Sequence, residues 1–296
     1  MFQGSIVALV TPFKNNEIDL TALKKLIQFH VQNNTNGILI AGCTGEAANI
    51  SDDELRIIIQ TVKSELRDCA RPIPLLAGTG TNTTSGTLKR TRIAEEEGVD
   101  GILLITPYYN KPTPEGQVEH FSRIAEQTEL PIILYNVPGR TGINMLPDTI
   151  ATLSKISNIV AVKEAGGSVD QVSAIRTLCD ITILSGDDTL TLPMLSVGAS
   201  GVISVTANIV PATVSRMCSA WHLGNTTEAM KLHLNLFHLT KMLFIETNPM
   251  PVKAALQMMG YITGDLRLPL VSVKPSSRDS IRKALIAANL IEERHE

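Results

Sequence analysis

GILIAGCTGEAANISDDELRIIIQTVKSELR, at residues 37–67, is a complete strand–loop–helix unit, and it decides the fold. The run GILIAGC (37–43) is almost wholly apolar, as expected for a strand buried on both faces of a parallel sheet. The segment after Ser51 is amphipathic and carries Glu54 three residues on, a spacing that predicts a helix with a capping box. This order of elements is typical of α/β proteins.

The same unit recurs along most of the chain. The other short apolar runs predict seven more strands: SIVALVTP (5–12), PIPLLAG (72–78), GILLITP (101–107), PIILYNVP (131–138), IVAVKEA (159–165), TILSGDD (182–188) and GVISVTA (201–207). Eight strands, each followed by a helix, fit a closed parallel barrel better than an open doubly wound sheet. We therefore predict an α/β protein with a (β/α)8 TIM barrel.

Local signals place several element ends. Asp19 precedes LTALKKLIQFHVQNN and is expected to begin the first helix. Gly37, Gly98 and Gly101 lie where a helix gives way to a strand, which predicts left-handed helix caps.

The pattern changes near residue 211, because only helical segments follow. We predict a barrel over residues 1–210 and a C-terminal helical extension over 211–296 that packs on it.

Composition excludes several classes of protein. The 296 residues carry a formal charge of −3, with 44% hydrophobic and 19% charged side chains, so a basic nucleic-acid-binding face is not expected. The apolar runs are too short to span a membrane. The N-terminus lacks a basic segment, and Pro12 interrupts its apolar stretch, so no signal peptide is predicted.

Cysteine and histidine spacing points to a cytoplasmic protein without a metal. The four cysteines form no Cys-x-x-Cys pair and are interpreted as free thiols in a reducing compartment. His233 and His238 are five residues apart, so on a helix they point to different faces and favour a structural role over metal binding.

Lys163 is the most informative candidate residue. In a TIM barrel the active site lies at the carboxyl ends of the strands, and Lys163 lies near the end of the sixth. Burial there lowers an amine pKa, and a neutral amine can attack a ketone to form an imine. The alternative, equally supported by the strand alone, is a lysine paired with a carboxylate such as Glu164.

Three more candidates lie at or just beyond the carboxyl ends of predicted strands. Tyr135 ends the fifth strand, next to the sixth in a closed barrel, and either transfers protons or packs the barrel mouth. Arg140, in a tight loop, either binds a carboxylate or is a surface arginine. The GCTGE loop (42–46) offers backbone N–H groups and the Thr44 hydroxyl to a small carboxylate, although such loops are common.

Together these segments resemble the pyruvate-dependent lyase family that includes dihydrodipicolinate synthase and N-acetylneuraminate lyase. The resemblance covers essentially the whole chain. GCTGE (42–46) matches the family's GxTGE loop, and VKEAGG (162–167) matches its Schiff-base strand. PYYNKPTPEG (107–116) and YNVPGRTG (135–142) favour the synthase branch.

The resemblance implies a role for each candidate. Lys163 would form an imine with pyruvate, Tyr135 would be the general acid/base, and Thr44 would bind the pyruvate carboxylate. Arg140 would face the carboxylate of aspartate 4-semialdehyde, giving 4-hydroxy-tetrahydrodipicolinate on the route to diaminopimelate and lysine. Tyr109 would be a second relay tyrosine contributed across a subunit interface.

It further implies that Gly186 and Ile203 line the pocket. The family uses no metal or organic cofactor and is usually a homotetramer.

The chain departs from the family in two places. Cys43 stands where the relay usually has a threonine, and a thiol is a weaker hydrogen-bonding group than a hydroxyl. At positions where lysine-sensitive members carry polar groups, the chain has Ala47, Asp52, Leu55 and Gly86, although it retains Asn82 and Tyr108. Weak or absent inhibition by lysine is therefore predicted.

Three other functions stay open. A sibling lyase would cleave a 2-keto sugar acid or sialic acid with the same lysine, and would need hydroxyl-binding groups in place of Arg140. A cofactor enzyme on an open sheet would need a G-x-G-x-x-G turn, whereas AGTGTN (77–82) is followed by Thr83 at the third glycine position. A catalytically silent barrel is disfavoured by the joint presence of Lys163, Tyr135 and Arg140.

Overall fold

A computed structural model describes residues 2–293 of the chain. Eight parallel strands close into a barrel in which every strand pairs with its neighbours in sequence and the last pairs with the first. We number them β1 to β8: Gly4–Ala8, Gly37–Ile40, Leu75–Gly78, Gly101–Ile105, Ile132–Asn136, Ile159–Glu164, Thr182–Ser185 and Gly201–Ser204. The predicted (β/α)8 barrel is confirmed.

Every predicted strand is present, but all except β3, which ends at Gly78 as predicted, leave the sheet before the predicted end. In β2, for example, the apolar run continues to Cys43 whereas the strand ends at Ile40, and Ala41 already has a φ of +49°. Apolar residues therefore continue past the last ladder hydrogen bond into the loops at the carboxyl end of the barrel, where they remain buried.

Among residues 2–293, twelve α-helices cover the barrel. In chain order α1 to α12 are Leu20–Gln32, Asp52–Leu66, Thr84–Glu96, Pro114–Ala125, Pro138–Thr141, Pro147–Leu153, Val169–Leu178, Thr191–Ser196, Pro211–His222, Thr226–Leu243, Met250–Met258 and Pro275–Ala287. Both predicted helix starts are confirmed. The Asp19 carboxylate accepts from the Ala22 N–H, and Ser51 and Glu54 form the capping box.

The glycine prediction was right at one position and wrong at two. Gly98 has a φ of +71° and caps α3 in the left-handed conformation. Gly37 and Gly101 are instead the first residues of β2 and β4, where the requirement is for space. A Cβ on Gly101 would lie 3.0 Å from Phe2 Cζ and from Leu76 Cδ2.

The helices after residue 210 pack on the barrel and on one another. Helix α9 contacts β1 and α10, while α11 and α12 contact each other and α10. The division at residue 210 remains a prediction, because α9 contacts a barrel strand directly and no separation between barrel and extension is seen there. None of the described helices has both the length and the apolarity needed to cross a membrane.

Two apolar layers hold the fold together. The larger lies between the strands and the surrounding helices. The smaller fills the barrel interior with one or two side chains from each strand, among them Ile6, Leu39, Leu103, Ile133, Leu184 and Ile203. This inner layer closes the barrel below the carboxyl ends of the strands, so a pocket can form only above it.

Candidate active site

Lys163 is buried at the carboxyl end of β6, with 6% of its surface exposed. It is the register partner of Tyr135 on β5, as the sequence predicted for the ends of the fifth and sixth strands. The Lys163 Nζ lies 4.1 Å from the centre of the Tyr135 ring. Within residues 2–293, no carboxylate lies within ion-pairing distance of this amine.

Glu164 does not pair with Lys163, because successive side chains of a strand point to opposite faces. Its buried carboxylate lies on the helix side of the sheet. There it accepts hydrogen bonds from Gly166 N at 2.6 Å, from Gln171 Nε2 at 2.9 Å and from Asn136 Nδ2 at 3.0 Å. The acid beside Lys163 in sequence therefore has a structural role, and the lysine amine remains available for chemistry.

The surroundings of Lys163 favour its neutral form. The pKa of Lys163 is lowered to about 8, mainly by burial; Cys43 and Asp188 act to raise it, and the charge of Arg140 acts to lower it. With that pKa, roughly a tenth of the amine is neutral at pH 7, far more than for an exposed lysine. The site therefore supplies a nucleophilic amine near neutral pH.

Tyr135 carries a phenol that stays protonated. Burial raises the pKa of Tyr135 well above its ordinary value, the neighbouring Cys43 adds to the rise, and Arg140 opposes it. A protonated phenol beside a neutral amine is a proton donor next to a nucleophile, the pairing that imine formation requires.

Gly186 leaves the space in which the Lys163 side chain lies. A Cβ at this position would approach Lys163 Cε to 3.0 Å and the Ala165 methyl to 2.7 Å. Gly186 follows β7, and its N–H donates to the Glu164 carbonyl at 2.7 Å. Glycine is therefore needed here because the lysine stem passes directly over the backbone.

Asn248, which the sequence interpretation missed, connects two candidate residues. Its Nδ2 donates to Thr44 Oγ1 at 2.9 Å, and its carbonyl accepts from Arg140 Nη2 at 2.8 Å. Asn248 is buried, and its Oδ1 has no hydrogen-bond partner. It lies in the segment before α11, far from Thr44 in sequence, so no local pattern could have placed it here.

Asp188 is a buried acid that the sequence interpretation also missed. It accepts from Ser204 Oγ and, at 2.9 Å, from the Val205 N–H, and burial raises its pKa. Its charge is near enough to raise the pKa of Lys163, although the two side chains do not pair.

The candidate residues enclose a cavity of about 460 Å³ at the carboxyl end of the barrel. Its lining includes Cys43, Thr44, Tyr135, Arg140, Lys163 and Gly186, and from the C-terminal part of the chain Lys241, Phe244, Glu246 and Asn248. A second cavity of about 450 Å³ lies beside it, lined by Tyr108 and Arg90 among others. Four residues line both cavities, namely Cys43, Tyr135, Arg140 and Asn248.

Two predicted residues lie elsewhere. Tyr109 is 89% exposed and does not line either cavity, and its φ is +74°. Ile203 is buried in the inner barrel layer, while Val205 on the same segment lines the cavity. Among residues 2–293, no three His, Cys, Asp or Glu side chains are placed to share a metal ion.

Known proteins with this fold and length match the chain closely. The model of the Dihydrodipicolinate synthetase family matches residues 1–288. A 4-hydroxy-tetrahydrodipicolinate synthase of Syntrophus aciditrophicus is 47% identical over 293 residues, 98% of this chain and 100% of that protein.

Solved structures agree. A dihydrodipicolinate synthase from Aquifex aeolicus has a TM-score of 0.94 at 43% identity, covering 98% of this chain and 99% of that one. One from Acinetobacter baumannii, described as chloride inhibited and complexed with pyruvate, has a TM-score of 0.95 at 42% identity, covering 98% and 100%. The chain therefore belongs to the dihydrodipicolinate synthetase family.

Proposed function

We propose that the cavity condenses pyruvate with L-aspartate 4-semialdehyde to 4-hydroxy-tetrahydrodipicolinate, the activity of a 4-hydroxy-tetrahydrodipicolinate synthase. The observation that carries the proposal is the buried Lys163 amine, which has no ion-pair partner within residues 2–293 and lies 4.1 Å from the Tyr135 ring. Full-length similarity to synthases of that name supports the same activity.

The first half of the reaction activates pyruvate. The neutral Lys163 amine adds to the ketone carbon, and the resulting carbinolamine loses water to give a protonated imine. Loss of a methyl proton converts the imine to an enamine, whose carbon is nucleophilic. Tyr135 donates and accepts the protons of these steps, and Thr44 with the adjoining backbone N–H groups holds the pyruvate carboxylate.

The second half joins the aldehyde. The enamine carbon attacks the aldehyde carbon, whose oxygen takes up a proton. The amino group of the semialdehyde then adds to the imine carbon and displaces Lys163, which closes the ring and returns the free amine. Arg140 at the cavity mouth suits the carboxylate of this substrate, because a guanidinium binds carboxylates in two-point fashion.

We further propose a cytoplasmic homotetramer in which a partner subunit supplies the relay tyrosine that the isolated chain lacks. One observation supports the assembly and another supports the compartment. Tyr109 is exposed with its backbone in a left-handed conformation, and it does not line the cavity of its own chain. The four cysteines are free thiols, as suits a reducing compartment. Sedimentation velocity of the purified protein tests the tetramer.

A sibling lyase acting on a 2-keto sugar acid or sialic acid is the second candidate. Cys43 favours this candidate, because a thiol in place of the relay hydroxyl is compatible with a different aldehyde substrate. Side-by-side assays with the semialdehyde and with sugar acids separate the two, and turnover of a sugar acid alone would favour the lyase.

Borohydride reduction tests the imine itself. With pyruvate present, we expect the mass of a reduced pyruvyl group on the peptide that contains Lys163, and no adduct in Lys163→Ala. An unmodified wild-type peptide under conditions of turnover would exclude the proposed function.

A further inference from the structure

A buried ion pair joins the GCTGE loop to the C-terminal helices. Lys253 Nζ on α11 lies 2.6 Å from Glu46 Oε1, and both side chains are 0% exposed. Lys253 looks in sequence like an ordinary lysine of an amphipathic helix, and nothing in the imine chemistry uses it. The pair therefore calls for a separate explanation.

Stability alone is a poor explanation for this pair. Removing two charges from water carries a large desolvation penalty, and an apolar pair of similar volume is often as stable or more stable. Burial lowers the pKa of Lys253 although Glu46 opposes the change, so the charge is held against the local preference. A pair of this kind is better suited to fixing one geometry than to adding stability.

The remaining polar atoms of the pair are also engaged. Glu46 Oε2 accepts from Asn49 Nδ2 and from the Arg267 N–H, both at 3.3 Å. Lys253 Nζ lies 4.4 Å from the centre of the Phe13 ring, a favourable cation–π distance. Four separate segments of the chain therefore meet at this ion pair.

Glu46 needs such support because its backbone is left-handed, with a φ of +56°. Residues other than glycine occupy this region only where the surroundings hold them there. The carbonyl of Gly45, between Glu46 and Thr44, accepts from Thr11 Oγ1 at 2.7 Å. The backbone that follows Thr44 is therefore held both at Gly45 and at Glu46.

The same C-terminal segment contacts the loop a second time. Asn248, just before α11, donates to the Thr44 hydroxyl, so that α11 and its preceding segment contact the loop at both Thr44 and Glu46. We propose that Lys253 is a positioning residue: through its buried ion pair with Glu46 it fixes the loop that presents Thr44 to the substrate carboxylate. The assignment of that carboxylate to pyruvate rests on the proposed function.

Lys253→Met tests the proposal, because it removes the charge and keeps much of the volume. If the loop is released, kcat/KM for pyruvate falls about tenfold, mainly through a higher KM, since weaker substrate binding raises KM with little change in kcat. The alkylation of Cys43 by iodoacetamide should also become several-fold faster. Its rate is measured from the peptide masses, with Cys69 as the internal reference. This second measurement needs no pyruvate.

Leu153→Ala is the matched control. Leu153 is buried on α6, which packs on α4 and α7, so its truncation destabilises the protein in a different part of the fold from α11. It should leave both the pyruvate KM and the Cys43 labelling rate at their wild-type values. A change of the same size in this control would assign the effect to general loosening and overturn the proposal.

Glu46→Gln and Lys253→Arg guard against a variant that does not fold. Glu46→Gln keeps the shape and one acceptor but weakens the bond, so it should change the pyruvate KM and the Cys43 labelling rate in the same direction as Lys253→Met. Lys253→Arg keeps the charge, so it should change them least. Folded Lys253→Met or Glu46→Gln with unchanged KM and unchanged Cys43 labelling overturns the positioning role. If wild type fails to trap pyruvate, the proposed function fails, whereas the labelling comparison still decides the role of Lys253.

Discussion

Tyr135 and Lys163 are register partners on adjacent strands, and the lysine amine lies over the phenol ring. Their relative position is set by the barrel ladder and not by a mobile loop. A proton donor and a nucleophile placed on rigid strands need little reorganisation when the reaction begins.

Imine formation should increase with pH up to the Lys163 pKa. Because burial lowers that pKa to about 8, the reactive neutral amine increases about tenfold per pH unit below 8 and levels off above it. Single-turnover borohydride trapping at several pH values measures this limb. An inflection near the pKa of an ordinary exposed lysine would contradict the described burial.

Arg140→Gln should separate the two substrates. We expect pyruvate trapping to persist and the KM for the semialdehyde to rise by about 10- to 100-fold, as loss of a charged hydrogen bond predicts. Because the Arg140 charge lowers the pKa of Lys163, the rise of imine formation with pH should also shift to higher pH in this variant. Arg123→Gln, at an exposed ion pair with Glu126, is the control for loss of charge alone.

Cys43 is predicted to take part in proton transfer with Tyr135. Cys43→Thr restores a stronger hydrogen-bonding group and should keep or raise kcat, while Cys43→Ala should lower it by about 100-fold, the lower limit for loss of a proton-transfer group. Steady-state kinetics with both substrates measures the pair. Equal kcat values in the threonine and alanine variants would remove Cys43 from the relay.

Gly186→Ala should abolish trapping while the chain still folds. The added methyl would overlap Ala165 and the Lys163 stem, so the lysine must move, at about 1–3 kcal/mol of stability. Thermal unfolding and borohydride trapping measure the two effects. A Cβ at Gly139 meets nothing within 4 Å, so Gly139→Ala is the control for unfolding. Normal trapping in Gly186→Ala would show that the space is not needed.

Inhibition by lysine should be weak. Leu55 is buried in the core, and the Asp52 carboxylate is already paired with Lys89 at 2.6 Å and Arg90 at 3.3 Å. Neither residue is free to bind an added ammonium group. A dose–response curve with half-inhibition at millimolar or higher lysine is expected, and strong inhibition at sub-millimolar lysine would disprove the prediction.

The sequence allowed the barrel and the Lys163–Tyr135 pairing to be predicted because both follow from local patterns. Apolar runs mark strands, and in a closed barrel the fifth and sixth strands must be neighbours. The Ser51 capping box is local in the same way. The family resemblance was confirmed by relatives that match across the whole chain.

What could not be predicted depends on distant contacts. Asn248 and Lys253 reach the GCTGE loop only after the C-terminal helices fold back over the barrel mouth, and neither carries a spacing signal. The prediction of left-handed caps was wrong at Gly37 and Gly101, where glycine is needed for space. The crowding neighbour, such as Phe2 beside Gly101, cannot be inferred from the segment itself.

The four side chains that line both cavities tie the two compartments together. Cys43, Tyr135, Arg140 and Asn248 each present atoms to either chamber, so a substitution that reshapes one chamber also reshapes the other. A change of specificity toward a bulkier aldehyde is therefore constrained by the shapes of both cavities. Engineers who wish to retune selectivity would do better at Lys241 or Phe244, which border only the chamber that contains the reactive amine.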